Sequence, residues 1–233
     1  MDTKIKIVSN TNTGFLKLIA VVSMLLDHIG KVFCPNIILL QIIGRISFPI
    51  FAYCISVGYL YTTNIKKYIF RLLIIGILSQ PIYVLAFDIP WYKLNILFTL
   101  LIGLLFIYLI EKKHWCKLML LLIICLSLTF KVNYNIFSYT MIGSLLSVFF
   151  YLNRKNKTFS ILISSLILLV FLPLIYQYSI SIFNIKIPLQ AFAIFSLPFI
   201  YIKTNFNIYM NKYIFYIFYP LHLFIIYIIK IIK

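Results

Sequence analysis

The segment LKLIAVVSMLLDHIG at residues 16–30 combines the two features that decide the fold of this chain. It is an apolar run approaching the length of about 20 residues that a helix needs to cross a bilayer. Near its end it contains Asp27 and His28, two ionisable residues that the hydrocarbon core of a membrane disfavours. We interpret it as an uncleaved membrane-spanning helix whose polar residues face other helices.

The composition of the whole chain agrees with this interpretation. Of its 233 residues, 64% are hydrophobic and only 11% are charged, against roughly 45–50% and 25% in ordinary soluble domains. This balance excludes a soluble enzyme. The formal net charge of +17 would suggest nucleic acid in a soluble chain, but most basic residues fall in short gaps between apolar runs, where they anchor spans. We therefore expect this chain to lie in a lipid bilayer and not to bind nucleic acid.

Apolar segments alternate with short polar gaps along the chain. They predict one integral membrane domain over residues 1–233, an all-α bundle of about nine spans. Eight or ten spans are the alternatives, because segments 117–130 and 187–201 are short for a full crossing. The nine segments are 14–33, 37–61, 68–87, 94–110, 117–130, 136–152, 158–176, 187–201 and 213–229.

The basic content of the gaps predicts the orientation of the spans. Twelve basic residues fall on one side of the nine spans and six on the other, and the richer side should be cytoplasmic. The N-terminus is therefore expected in the cytoplasm. The twelve are Lys4, Lys6, Lys66, Lys67, Lys112, Lys113, Lys117, Arg154, Lys155, Lys157, Lys203 and Lys212, and the six are Lys31, Lys93, Lys131, Lys186, Lys230 and Lys233.

Ionisable residues inside the spans are the candidate functional residues, because such residues usually face the bundle interior and have partners. At about 1.5 Å per residue, Asp27 in span 1 and Arg45 in span 2 reach nearly the same depth, so we expect them to form an ion pair. That pair is either purely structural or part of a reaction centre. Arg71 lies one turn inside the cytoplasmic end of span 3, where it either extends to the headgroups or binds a ligand. His222, near the midplane of span 9, is either a packing residue or a functional one.

His28 is the best candidate for a general base, since a histidine serves this role near neutral pH once another group orients it. Adjacent helical residues point about 100° apart, so Asp27 is poorly placed to orient its neighbour. We expect another helix to orient His28, which leaves Asp27 to hold Arg45.

Several of these residues lie in strings that resemble the TraX family. The strings are LKLIAVVSMLLDHIG (16–30), IGRISFPIFAY (43–53), YTTNIKKYIFRL (61–72), LSQPIY (78–83), LNILFTLLIG (94–103) and FYPLHL (218–223). The named activity of that family is N-acetylation of the pilin subunit in conjugation systems, and its members resemble the wider transmembrane acyltransferases. The resemblance implies a multi-pass protein of the bacterial plasma (inner) membrane and functional roles for Asp27, His28, Arg45, Arg71, Asn95 and His222. One departure is Val57, which stands before Gly58 where many members have an acid.

These observations predict a membrane-embedded acyltransferase that takes acetyl from acetyl-CoA and modifies an acceptor, a protein, peptide or glycan, at or beyond the outer leaflet. His28 would be the base, and Asn95 or Gln80 would stabilise the oxyanion. Arg71, with Lys66 and Lys67, would bind the phosphates of CoA. No metal is expected, because the four cysteines have no metal-ligand spacing. The alternative is a proton-coupled transporter or flippase that uses the buried ionisable residues as a relay.

Overall fold

The computed structural model describes residues 7–131, 140–171, 179–182, 185–206, 208–209 and 211–233. Helices make up most of these ranges, and a short antiparallel hairpin of β1 (Ser179–Ile182) and β2 (Ile185–Pro188) is also present. A π-helical turn (Ile167–Phe171) continues α8, and a 3-10 helix (Leu189–Ser196) precedes α9. The α-helices are α1 (Thr13–Val32), α2 (Ile38–Gly44), α3 (Ser47–Tyr61), α4 (Ile65–Phe87), α5 (Ile96–Glu111), α6 (Trp115–Lys131), α7 (Thr140–Leu152), α8 (Lys157–Leu166), α9 (Leu197–Tyr201) and α10 (Lys212–Ile232).

The predicted helical architecture is confirmed where the structure describes the chain, and two segments differ from the expectation. Segment 37–61 is divided between α2 and α3 by a turn at residues 45–46, since Pro49 has no N–H to donate to the Arg45 carbonyl. Segment 187–201 starts in β2 and continues as a 3-10 helix and the short α9. Lys4, Lys6, the first residues of segment 136–152 and the last of segment 158–176 lie outside the described residues.

Three helical stretches among the described residues are long and apolar enough to cross a membrane, namely Ile38–Tyr61, Ile65–Phe87 and Tyr213–Ile232. Shorter apolar helices surround them, including Ile96–Glu111 and Trp115–Ser127. Many of their large hydrophobic side chains are exposed, which is the expected surface of a protein whose solvent is lipid. The chain is an all-α membrane protein.

Asparagines fix where several of these helices begin. In each case the side-chain oxygen accepts a hydrogen bond from a backbone N–H in the first turn, which otherwise lacks a partner. Such a cap stabilises a helix by about 1 kcal/mol. The capping residues are Asn12, Asn64, Asn95, Asn156 and Asn211.

The helix α3 lies at the centre of the bundle and packs against α1, α5 and α7. Phe48, Ile50 and Ala52 are almost inaccessible to solvent. Gly103 on α5 allows α7 to come close, because a Cβ at this position would lie 2.9 Å from the Ser144 carbonyl oxygen. This close packing gives the remaining helices a rigid support.

The helices α1, α4 and α10 run parallel and form one side of the bundle. At their N-terminal ends, the ring of Phe15 packs edge-on against Phe206, just before α10. At the C-terminal ends, Lys230 of α10 donates to the Ala86 carbonyl and pairs with Asp88 after α4. The first and last described helices are therefore neighbours.

Candidate functional site at the junction of the first and last helices

Asp27 and Arg45 form the predicted ion pair. Arg45 Nη2 contacts Asp27 Oδ1, and each residue is only 7% exposed. Lys31, one turn further along α1, contacts the other carboxylate oxygen of Asp27. Arg45 Nε also donates to the Gln41 carbonyl at 3.2 Å. The pair joins α1 to the turn between α2 and α3.

Two glycines allow this pair to form. A Cβ at Gly44 would lie 2.2 Å from the Asp27 Cβ, and a Cβ at Gly30 would lie 2.8 Å from the Leu40 Cβ. Real Cβ atoms do not approach other atoms so closely, so only glycine fits at Gly44. The sequence Gly44-Arg45 thus brings α2 into contact with α1 and places the guanidinium on the carboxylate.

His28 and His222 form a hydrogen-bonded pair between α1 and α10. The distance from His28 Nδ1 to His222 Nε2 is 2.9 Å, and His222 Nδ1 lies 2.8 Å from the Phe218 carbonyl oxygen. Both histidines are buried, and Phe87 of α4 packs edge-on against His28 at 4.9 Å between ring centroids. The orienting group of His28 therefore comes from another helix, as the sequence predicts.

The hydrogen bonds assign one tautomer to each ring, because a carbonyl oxygen only accepts. His222 Nδ1 must carry a proton to donate to Phe218, so its Nε2 accepts from His28 Nδ1. His28 Nε2 then has the free lone pair, and it makes no hydrogen bond with the described residues. This nitrogen is the basic atom of the pair.

The structure does not bring Asn95 and Gln80 to the histidine pair as hydrogen-bond donors. Asn95 Nδ2 donates to the Gly76 carbonyl at 2.8 Å and to Gln80 Oε1 at 3.0 Å. Gln80 Nε2 donates to the carbonyls of Trp91 and Lys93. Both amides therefore hold the loop before α5 against α4, and a role in stabilising an oxyanion would require these bonds to break.

The residues predicted to bind CoA lie at the opposite end of α4 from this loop. The guanidinium of Arg71 is half-buried between the rings of Tyr68 and Tyr216, at 6.0 and 5.8 Å from their centroids. Lys66 and Lys67, in the first turn of α4, are exposed. The structure thus separates Arg71, which packs against α10, from the two lysines, which face solvent.

Sequence reasoning missed two polar residues around Arg45. Lys31 was counted as a loop residue, although its spacing of four from Asp27 is that of a helical ion pair. Gln190, in the 3-10 helix, accepts from Arg45 Nη1 at 3.3 Å and is 1% exposed. Its Nε2 group has no acceptor among the described residues. No local pattern marks Gln190, because it lies in the least regular apolar segment.

The residues of this site lie in a region that matches a known family, TraX protein, over residues 12–230. The chain belongs to the TraX family. It is 31% identical over 170 residues to a probable fimbrial assembly protein, FimC of serogroup H1, from Dichelobacter nodosus, which covers 66% of this chain and 69% of that protein. It is also 33% identical over 105 residues to an uncharacterised protein of Rickettsia prowazekii (strain Madrid E), over 44% of this chain and 40% of that protein. No solved structure matches this TraX-family chain.

Proposed function

We propose that this TraX-family protein is a membrane-embedded acyltransferase that transfers acetyl from acetyl-CoA to an acceptor at or beyond the outer leaflet. The observation that carries the proposal is the chain of hydrogen bonds from His28 through His222 to the Phe218 carbonyl. This arrangement leaves the lone pair of His28 Nε2 without a donor among the described residues, as a general base requires. Membership of the TraX family supports the reaction class.

His28 Nε2 would take a proton from the amine or hydroxyl group of the acceptor as its nitrogen or oxygen attacks the thioester carbonyl carbon. The C–S bond then breaks, and the sulfur of CoA leaves with the proton that His28 returns. His222 is a positioning residue, since it holds the Nδ1 proton of His28 and so keeps the lone pair on Nε2. A general base of this kind typically contributes about 10²–10⁴-fold in rate.

The ion pair of Asp27 and Arg45 would hold α1 in place beside the reaction centre. Adjacent residues on a helix point in different directions, so the pair faces α2 while His28 faces α10.

The basic end of the bundle would lie in the cytoplasm of a bacterium, with nine spans crossing the plasma membrane. Two hydrogen bonds join segments that this orientation assigns to the cytoplasmic end. The Val8 N–H donates to the Arg154 carbonyl, and the Tyr151 hydroxyl donates to Glu111. These contacts support the assignment of those segments to one end of the bundle. Acetyl-CoA would then enter beside Arg71, Lys66 and Lys67. The acceptor would reach His28 from the other side.

The acceptor class follows from the relatives rather than from the geometry. A relative of this chain is named as a fimbrial assembly protein, and the named activity of the TraX family is N-acetylation of a pilin subunit. We infer that the acceptor is a protein or peptide of a surface filament, with a glycan as the second choice.

A proton-coupled transporter or flippase is the second candidate function. The observation that favours it is that two interrupted helical segments meet, at the turn between α2 and α3 and at the 3-10 helix, through the hydrogen bond from Arg45 to Gln190. Transporters build substrate sites from interrupted helices of this kind.

Incubation of proteoliposomes with radiolabelled acetyl-CoA and an envelope fraction tests the two functions. We expect label on the acceptor with the parent protein and a loss of about 10²–10⁴-fold in His28→Ala. His114→Ala, in an exposed loop, is the matched control and should transfer normally. Full transfer by His28→Ala would reject the proposed base. Vesicles that take up protons with a solute, without labelling an acceptor, would favour the transporter.

A further inference from the structure

Two cationic side chains lie beside consecutive aromatic residues of α10. Lys17 Nζ of α1 is 5.3 Å from the Phe215 ring centroid. Arg71 Cζ of α4 is 5.8 Å from the Tyr216 ring centroid. Both side chains are half-buried. Lys17 from α1 and Arg71 from α4 therefore bring two positive charges to consecutive positions of α10.

No described acid compensates these two charges. Asp27 pairs with Lys31 and Arg45, Asp88 pairs with Lys230, and Glu111 accepts a hydrogen bond from Tyr151. Arg71 Nε is buried and has no acceptor among the residues that the structure describes. Cations with their donors withdrawn from water need a counter-charge, and an unpaired one is costly to bury.

The helices around Lys17 and Arg71 add to the positive potential. Both residues lie in the first two turns of their helices, as does Tyr216. Because α1, α4 and α10 are parallel, their N-termini meet at this end of the bundle, and the N-terminus of a helix carries a partial positive charge. The rings of Tyr68 and Tyr216 hold the guanidinium from two sides.

We propose that Lys17 and Arg71 form a binding site for a phosphate-bearing ligand. Phosphate oxygens supply the two things that Lys17 and Arg71 need, a negative charge and hydrogen-bond acceptors. The identification of that ligand as CoA rests on the proposed function, and the headgroup of an anionic lipid has the same chemistry. The site adds to Arg71 the residue Lys17, to which the sequence alone assigns no role.

Equilibrium binding of radiolabelled CoA to the full chain in phosphatidylcholine nanodiscs tests this site. Lys17→Gln and Arg71→Gln should each weaken binding by about 10- to 100-fold, the loss expected for one hydrogen bond to a charged group. Lys112→Gln, at an exposed position just after α5, is the matched control and should change the dissociation constant by less than about threefold, as expected for an exposed charge. Pantetheine, which lacks the phosphates, should not compete. Lys17→Arg and Arg71→Lys should recover part of the affinity, which separates loss of charge from loss of folding.

A second arm distinguishes the two sources of phosphate. If CoA does not bind the parent, native mass spectrometry after purification from membranes should show a retained anionic lipid that Lys17→Gln and Arg71→Gln lose. An equal loss of binding in Lys112→Gln would overturn the site, and so would the finding that neither CoA binding nor lipid binding depends on Lys17 and Arg71. CoA binding without acyl transfer would reject the proposed function and leave the site standing.

Discussion

Removal of charge from the Asp27–Arg45–Lys31 cluster should destabilise the protein in a fixed order. Truncating one partner of a buried ion pair typically costs about 3–5 kcal/mol, because the other charge is left buried and unpaired. Asp27→Asn removes the carboxylate charge that contacts the guanidinium of the 7% exposed Arg45. We expect this change to reduce the free energy of unfolding by about 3 kcal/mol.

Arg45→Gln and Lys31→Gln should reduce the free energy of unfolding by less, because the charges that remain still have a partner of opposite sign. After Arg45→Gln, Asp27 still has Lys31, so we expect a loss of about 1–2 kcal/mol, below the range for an orphaned charge. Lys31 has a side chain that is 39% exposed, and exposed ion pairs contribute only about 0–1 kcal/mol. Lys31→Gln should therefore be close to the parent in stability.

Thermal melting in a mild detergent measures this order. At about 2–4 °C per kcal/mol for a chain of this length, Asp27→Asn should lower Tm by roughly 6–12 °C. The double variant Asp27→Asn/Arg45→Gln should lose less than the sum of the single variants, because both remove the same contact. A larger loss in Lys31→Gln than in Asp27→Asn, or strict additivity in the double variant, would refute the reasoning.

Three further predictions test other parts of the structure. His222→Gln should reduce acyl transfer by about 10–100-fold, less than loss of the base itself, and unchanged transfer in the same labelling assay would deny it a positioning role. Gly44→Ala should lower Tm clearly, because its Cβ would lie 2.2 Å from an α1 side chain, whereas Gly76→Ala, with its nearest contact at 3.4 Å, should melt close to the parent. Asp88→Asn should change the free energy of unfolding by less than about 1 kcal/mol, since its ion pair is exposed; a larger shift in melting would contradict this.

The composition of the chain and the depth of its ionisable residues within the spans predict much of the helical fold and the main ion pair. Apolar runs predict helices, because a membrane leaves few ways to satisfy backbone groups. Equal depth and opposite charge predict the pairing of Asp27 with Arg45. The contact between His28 and His222 is harder to predict from the sequence. Two histidines on helices far apart in the chain have no opposite charges that would indicate a pair. Only the expectation that another helix orients His28 could be reached from the sequence.

The contacts of Gln190 and Asn95 were not predicted from the sequence, because they depend on the local backbone geometry. Gln190 meets Arg45 because segment 187–201 winds as a 3-10 helix, which hydropathy does not distinguish from an α-helix. Asn95 was expected to contact substrate, but the structure uses its amide to cap α5 and to bond α4. A polar residue at the start of a helix often serves the backbone first, and the position of Asn95 just before an apolar run is that signal.

The contact between α1 and α10 also sets the moment at which the site can exist during synthesis. His28 and His222 are separated by 194 positions along the chain. At about 5–20 residues per second, a ribosome needs roughly 10 to 40 s to translate that interval. Throughout this time His28 lacks its hydrogen-bond partner on α10, so a nascent chain that stalls before His222 is made has no His28–His222 pair. The pair can therefore form only after α10 has been translated.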